Sequence, residues 1–145
     1  MPSNDPILAT ISESCLFLHV RRASRVVSQV YEQAFAESEL PPAQFMLLIA
    51  VARMGPAPLT VVADRLQLDR TTLTRNLAAL EEWIEVSSDP ADRRSKILAI
   101  SGAGLAAIER CTPAWEKAQA QVTAQLGEVG VGVALAALNQ LSALE

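Results

Sequence analysis

Apolar residues recur at three- and four-residue steps along the first part of the chain, the spacing that places side chains on one face of an α-helix. This pattern predicts a first helix at about 7–36. Leu40-Pro41-Pro42 breaks it, because proline disfavours helical geometry in the residue before it. A second helix is predicted at about 42–54, and the segment 55–58, with one glycine and two prolines, ends it.

Two shorter helices, joined by a tight turn, are predicted to follow. Thr60 is expected to cap the first, at 61–67. Asp69 is expected to cap the second, from 70 to about 83, because its carboxylate can accept from the free N–H groups of the first turn. The second helix has an apolar face with Leu73, Leu77 and Leu80 and a polar face with Arg70, Thr71, Thr74, Arg75 and Asn76.

The period then changes from helical to alternating. Two strands are predicted, at 84–87 and 96–100, with a polar, basic and turn-prone tip at 89–95. Ser101 is expected to cap a long helix that reaches about Gln125 and is kinked at Pro113. A glycine-interrupted stretch at 127–132 leads into a last helix that repeats leucine every three residues.

Two short helices and a β-hairpin with an arginine-bearing tip make a winged helix-turn-helix. The predicted fold is mainly α with a small β-hairpin wing, in one domain over 1–145. The winged helix-turn-helix, at about 42–100, is flanked by N- and C-terminal dimerisation helices at about 7–36 and 101–145. The first helix has apolar positions on more than one side and the last repeats leucine, so each is expected to need a partner surface. We therefore expect a homodimer.

The polar face of the second short helix predicts contact with double-stranded DNA. A helix fits the major groove, where arginine can pair with guanine and Asn76 would suit adenine. An arginine at a hairpin tip can enter the minor groove, where negative potential is concentrated. The expected DNA-binding residues are Thr60, Arg65, Arg70, Thr71, Thr72, Thr74, Arg75, Asn76, Asp92, Arg93, Arg94 and Lys96.

The net charge of −4 is unusual for a DNA-binding protein, but its distribution matters more than its sum. Half of the 12 lysines and arginines lie in two short clusters, around the second short helix and at the hairpin tip. Charges more than about 10 Å from an interface are largely screened. The local charge is compatible with binding to phosphates.

Other classes of protein are disfavoured. With one histidine and no recognisable nucleophile–base pair, we expect no enzyme and no metal site, and the sequence indicates no cofactor. No apolar run approaches the roughly 20 residues of a membrane span, and the N-terminus lacks the features of a signal peptide, so a cytoplasmic protein without membrane contact is expected. Cys15 and Cys111 are too few for a disulfide scaffold. They are either possible redox sensors or small buried apolar residues.

Three stretches of the sequence resemble the MarR family of winged helix-turn-helix transcriptional regulators. They are Leu59-Thr60-Val61-Val62-Ala63-Asp64-Arg65-Leu66, Asp69-Arg70-Thr71-Thr72-Leu73-Thr74-Arg75 and Asp89-Pro90-Ala91-Asp92-Arg93-Arg94-Ser95. The resemblance implies a dimeric regulator, most often a repressor, that reads a near-palindromic operator and responds to a small molecule or an oxidant. It also implies that Arg94 enters the minor groove and that Asp92 holds its guanidinium.

The sequence departs from the family after the second short helix. Members commonly have a glycine there, and this chain has Leu80-Glu81-Glu82-Trp83 and is about two residues shorter. Glycine serves as a left-handed helix terminator, so a distorted helix end or a shortened first wing strand is expected. Together with the acidic net charge, this leaves open an alternative function as a protein-interaction module with weak or no DNA binding.

Overall fold

The computed structural model describes residues 5–144. Over this range the chain forms six helices and three short strands, which confirms the mainly α fold with a β-hairpin wing. In chain order the elements are α1 (Pro6–Ser14), α2 (Leu16–Ala34), α3 (Pro42–Met54), β1 (Ala57–Pro58), α4 (Leu59–Arg65), α5 (Arg70–Ala78), β2 (Ile84–Ser88), β3 (Lys96–Ile100) and α6 (Gly102–Leu141).

The predicted first helix is two helices, because the backbone leaves helical geometry at Cys15, with ψ at 105°. Hydroxyl side chains before the break turn back onto the helix: Thr10 Oγ1 donates to the Pro6 carbonyl at 3.0 Å, and Ser14 Oγ donates to the Thr10 carbonyl at 2.6 Å. Such bonds compete with the backbone ladder and bend helices. The single predicted helix at 7–36 was therefore wrong at its centre.

The strands form an antiparallel sheet in the order β1-β3-β2. β2 and β3 pair along their whole length, from Ile84 opposite Ile100 to Ser88 opposite Lys96. The first wing strand is therefore not shortened, whereas α5 stops at Ala78 instead of about Trp83. β1 was not predicted, since two residues that include a proline give no alternating pattern.

The long helix α6 begins as predicted, with Ser101 Oγ accepting a hydrogen bond from the Gly104 amide at 3.0 Å. Pro113 lies within it, and among its residues only Gly127 has non-helical angles, with φ 72° and ψ 162°. The predicted interruption at 127–132 is thus a single residue. Helical geometry resumes directly after Gly127.

The contacts divide the chain into two compact units, and the boundary falls inside α6 instead of at its start. One unit, the winged unit, is Ala34–Lys117, and the other, the helical unit, joins the residues up to Gln33 with those from Ala118 onward. Nearly all of the buried apolar side chains are in the winged unit. Its most deeply buried members are Leu40, Leu48, Val51, Val62, Leu73, Leu80, Leu98 and Cys111.

The helical unit keeps much of its apolar surface exposed. Ala118 is its one buried hydrophobic residue among the described positions, whereas Phe17 and Val129 are 66% and 81% exposed. By length and composition alone α6 could also cross a membrane, with a mean hydropathy of 1.3 over 18 residues that are all unburied.

Candidate nucleic-acid interface

The helix-turn-helix is built from α4, a four-residue turn and α5. α4 begins at Leu59 after Pro58, with no side-chain cap, so the prediction that Thr60 is its cap was wrong. Thr60 lies one residue inside the helix and is exposed. At the other end Gln67 has a φ of 52° and Leu68 N–H donates to the Ala63 carbonyl at 2.9 Å. A residue in the left-handed region with this backbone bond ends the helix sharply.

Asp69 caps α5 as predicted. Its Oδ1 accepts from the Thr72 amide at 2.8 Å, and its Oδ2 accepts from the Thr72 hydroxyl at 2.6 Å. The Thr72 hydroxyl and then its amide hold the pKa of the Asp69 carboxyl below its ordinary value, because both stabilise the charged form. Thr72 therefore supports the cap and commits its hydroxyl proton to Asp69.

The side chains of α5 divide between the core and the solvent. Leu73 and Leu77 are buried, and the exposed face carries Arg70, Thr71, Thr74 and Arg75. Asn76 is half-buried, and at about 100° per residue it lies roughly 200° around the helix from Thr74. Asn76 therefore lies away from Thr74, on the side of α5 that also carries the half-buried Thr72 four residues earlier.

The wing tip is shaped by two aspartates that accept hydrogen bonds from nearby backbone amides. Asp89 Oδ1 accepts from the Ala91 amide at 2.9 Å, and Asp92 Oδ1 accepts from the Arg94 amide at 3.0 Å. Among residues 5–144 the only salt bridge joins Arg110 to Glu39, so Asp92 does not hold the Arg94 guanidinium. The structure corrects that expectation: the Asp92 carboxylate orders the backbone of the tip, as aspartate does in turns.

A small cleft brings α4, α5 and the wing together within the winged unit. Its volume is about 180 Å³, and it is lined by Leu59, Thr60, Arg70, Thr74, Arg94, Ser95 and Lys96. We call it the basic cleft. Its wall has three cationic side chains and three hydroxyls, which are donors suited to phosphate oxygens. Ser95 lies within the predicted tip at 89–95 but is not one of the predicted DNA-binding residues.

The other predicted contacts lie outside the basic cleft. Arg65, Thr71, Arg75 and Arg93 are all exposed but do not line it. Residues 5–144 contain no group of three or more His, Cys, Asp or Glu side chains arranged to hold a metal ion. Cys111 is buried in α6, and Cys15 is half-buried at the break between α1 and α2; both are free thiols.

Comparisons with known proteins match this geometry. Residues 40–96 match the model of the MarR family. The curated transcriptional repressor NicR of Pseudomonas putida is 25% identical over 96 residues, which cover 65% of this chain and 61% of NicR. BpsR of Bordetella bronchiseptica, whose DNA binding is regulated by 6-hydroxynicotinic acid, is 25% identical with a TM-score of 0.83 over 91% of this chain and 96% of its own. The M. tuberculosis transcriptional regulator MosR, solved in complex with DNA, is 32% identical with a TM-score of 0.74 over 89% of this chain and 96% of its own.

Proposed function

Since this chain belongs to the MarR family, we propose that it is a transcriptional repressor that binds double-stranded DNA sequence-specifically as a homodimer. The observation that carries this proposal is the basic cleft, in which Arg70 and Thr74 of α5 share one wall with Arg94 and Lys96 of the wing. One phosphate at this place would be contacted by both elements at once. Such phosphate contacts fix the register of a protein on the duplex.

The exposed face of α5 supports the reading of bases. Its free side chains are two arginines and two threonines, and a helix of this size enters the major groove. Arginine pairs with the edge of guanine through two hydrogen bonds, whereas threonine can contact several bases. The exposed wing tip, with Arg93 and Arg94, would lie along the adjacent backbone or minor groove.

The exposed apolar surface of the helical unit supports dimerisation. Soluble monomers rarely leave large contiguous apolar patches in water. Covering this surface with the same surface of a second copy gives a twofold-symmetric dimer. A symmetric dimer presents two copies of α5, which fits a near-palindromic operator. The break at Gly127 and the charge of Glu128 within α6 also favour a protein partner over a lipid one.

A small-molecule effector is part of the proposal. DNA binding by BpsR is regulated by 6-hydroxynicotinic acid, and we propose that an organic ligand also controls DNA binding by this chain. Its identity is open. Oxidation of Cys15 or Cys111 remains the alternative signal. Since the relatives are transcriptional regulators, we propose no enzymatic activity. A DNA-binding role also supports the proposal of a cytoplasmic location.

The first experiment titrates the purified protein onto a fluorescent duplex from its own upstream region and onto a scrambled duplex, at low and physiological salt. Arg94→Ala is measured in parallel, with Arg53→Ala as the control. Arg53 is also exposed and belongs to the winged unit, but it does not line the basic cleft. Both substitutions remove one positive charge, so a difference between them reports position.

We expect selective binding that weakens steeply with salt, because phosphate contacts release counterions. Arg94→Ala should weaken binding by at least about tenfold and reduce the salt slope by about 2, because each dimer loses two contacts, one from each copy. Arg53→Ala should stay within about twofold of the wild type. Absence of binding to any duplex at low salt, with reductant present, would refute the proposal and favour a protein-interaction module.

A further inference from the structure

One backbone carbonyl joins the base of the wing to the start of α6. The Trp83 carbonyl accepts from the Ser101 amide and from the Ser101 hydroxyl, both at 3.0 Å. Trp83 directly precedes β2 and Ser101 directly follows β3, so these bonds close the open end of the hairpin. The same hydroxyl accepts from the Gly104 amide. A hydroxyl has one proton to donate and two lone pairs, so both bonds can form together.

Gly104 allows this junction to be close. A Cβ atom at position 104 would lie inside van der Waals contact of the Trp83 carbonyl oxygen and 3.1 Å from Cγ1 of Ile100. The carbonyl belongs to the backbone and cannot rotate away, so any larger residue must displace Trp83 or α6. Gly102, in the same first turn of α6, differs: a Cβ there would meet nothing within 4 Å.

The position of Trp83 matters for α5 because only 79–83 separate that helix from β2. Within this segment the Leu80 carbonyl accepts from the Trp83 amide at 2.9 Å and from the Ile84 amide at 3.0 Å. The Leu80 side chain is fully buried. A shift of Trp83 is therefore passed to the end of α5.

We propose that Ser101 and Gly104 are positioning residues of the DNA interface. They hold the Trp83 carbonyl and thereby fix the spacing of α5 from the wing, on which the basic cleft depends. Neither residue needs to touch DNA. The inference rests on the proposed function, because the affinity that it predicts to change is affinity for DNA.

The test uses the full chain and four variants, each with and without Arg94→Ala. Gly104→Ala is paired with Gly102→Ala, which adds the same methyl group in open space. Ser101→Ala is paired with Ser101→Thr, which keeps the hydroxyl and a good N-cap. Operator affinity, the urea midpoint and amide hydrogen exchange at Ser101 and Ile84 are measured for each.

We expect Gly104→Ala and Ser101→Ala to weaken operator binding by about tenfold, and their partners to stay within about twofold of the wild type. Arg94→Ala should cost less affinity in the Gly104→Ala background than in the wild type, since a displaced wing no longer uses that guanidinium fully. A loss of stability alone would leave the cost of Arg94→Ala unchanged. Exchange at Ser101 and Ile84 should be faster in Gly104→Ala.

Equal operator affinity of Gly104→Ala and Gly102→Ala, or an equal cost of Arg94→Ala in both backgrounds, would overturn the inference. If Gly104→Ala does not fold, the Ser101 pair decides by the same criteria. If the wild type binds no duplex, the proposed function fails separately, and amide exchange decides. Faster exchange in Gly104→Ala alone would then retain only the contact that holds the Trp83 carbonyl, and equal exchange in the two glycine variants would reject that contact too.

Discussion

The Asp69 carboxylate acts on DNA binding in two opposite ways. It repels phosphates, but it also holds the first turn of α5 through two bonds to Thr72. We expect the second effect to dominate. Asp69→Ala should fray the turn that carries Arg70 and Thr71, lower the urea midpoint and weaken operator binding by about threefold to tenfold. A duplex titration and a urea melt measure the two effects.

Asp64→Ala is the matched control, because Asp64 is an exposed acid on α4 with no capping bond in the structure. It removes the same charge and should leave operator affinity unchanged or raise it. An increase in affinity for both variants would show that charge alone matters.

The pKa of the Asp69 carboxyl is lowered on folding, so this carboxylate stabilises the folded state. That stabilisation is fully present above the ordinary pKa of 3.8 and is lost as the pH falls through the lower folded-state pKa.

At the scale of single residues, the sequence predicted helix N-caps correctly where a turn or a strand precedes the capping residue. Asp69 and Ser101 both follow a turn or strand, and both cap as expected. Thr60 does not, because Pro58 already has the fixed φ that suits a helix start and the helix begins two residues earlier than expected. The hold on the Trp83 carbonyl could not be predicted, since it joins residues that are 18 positions apart.

The break within α6 depends on a single residue. Gly127 has φ 72° and ψ 162°, angles that are available almost only to glycine. We expect Gly127→Ala to lower the free energy of unfolding by about 1–3 kcal/mol, although a Cβ there would have open space. Thermal unfolding at a fixed protein concentration measures the change.

Gly132→Ala is the control for that prediction. Gly132 is helical and also has open space around its Cα. Alanine there should raise the free energy of unfolding by about 0.5–1 kcal/mol, because glycine loses more conformational entropy in a helix. If Gly127→Ala also stabilised the protein, the break in α6 would not be a feature of the folded state.

Apolar periodicity predicted most elements, and the errors fall where a local bond or a distant partner decides the structure. α3 and the wing strands lie within one residue of the predicted bounds, because each has a clear apolar period and a strong end signal. The break at Cys15 interrupts a helical apolar pattern without any proline or glycine, so no pattern could indicate it. β1 exists only because it pairs with Ile97 and Leu98 of β3.

For the whole molecule, the uneven distribution of buried side chains is the main physical argument for a second copy. The winged unit has a core, whereas the helical unit exposes apolar residues from α1, α2 and the end of α6. The sequence predicted the need for a partner from leucines that recur every three residues. It could not predict that the first part of α6 belongs to the winged unit, because membership depends on contacts between distant residues.

Leu138 tests the dimer directly, because it is an exposed leucine near the end of α6. Leu138→Glu places a charge on the surface that we expect a second copy to cover, and burying an unpaired charge is strongly unfavourable. The variant should sediment as a monomer and bind the operator at least about tenfold more weakly, since one half-site contact is lost.

Gln140→Glu is the control for Leu138→Glu. Gln140 is exposed and already polar, and it lies two positions away, or about 200° around the helix. It adds the same charge and should remain dimeric. A deletion after Val133 should likewise give a monomeric or unstable protein. A folded dimer from that deletion, or from Leu138→Glu, would mean that the end of α6 is not the dimer surface, and that other exposed apolar residues of the helical unit, such as those of α2, form it instead.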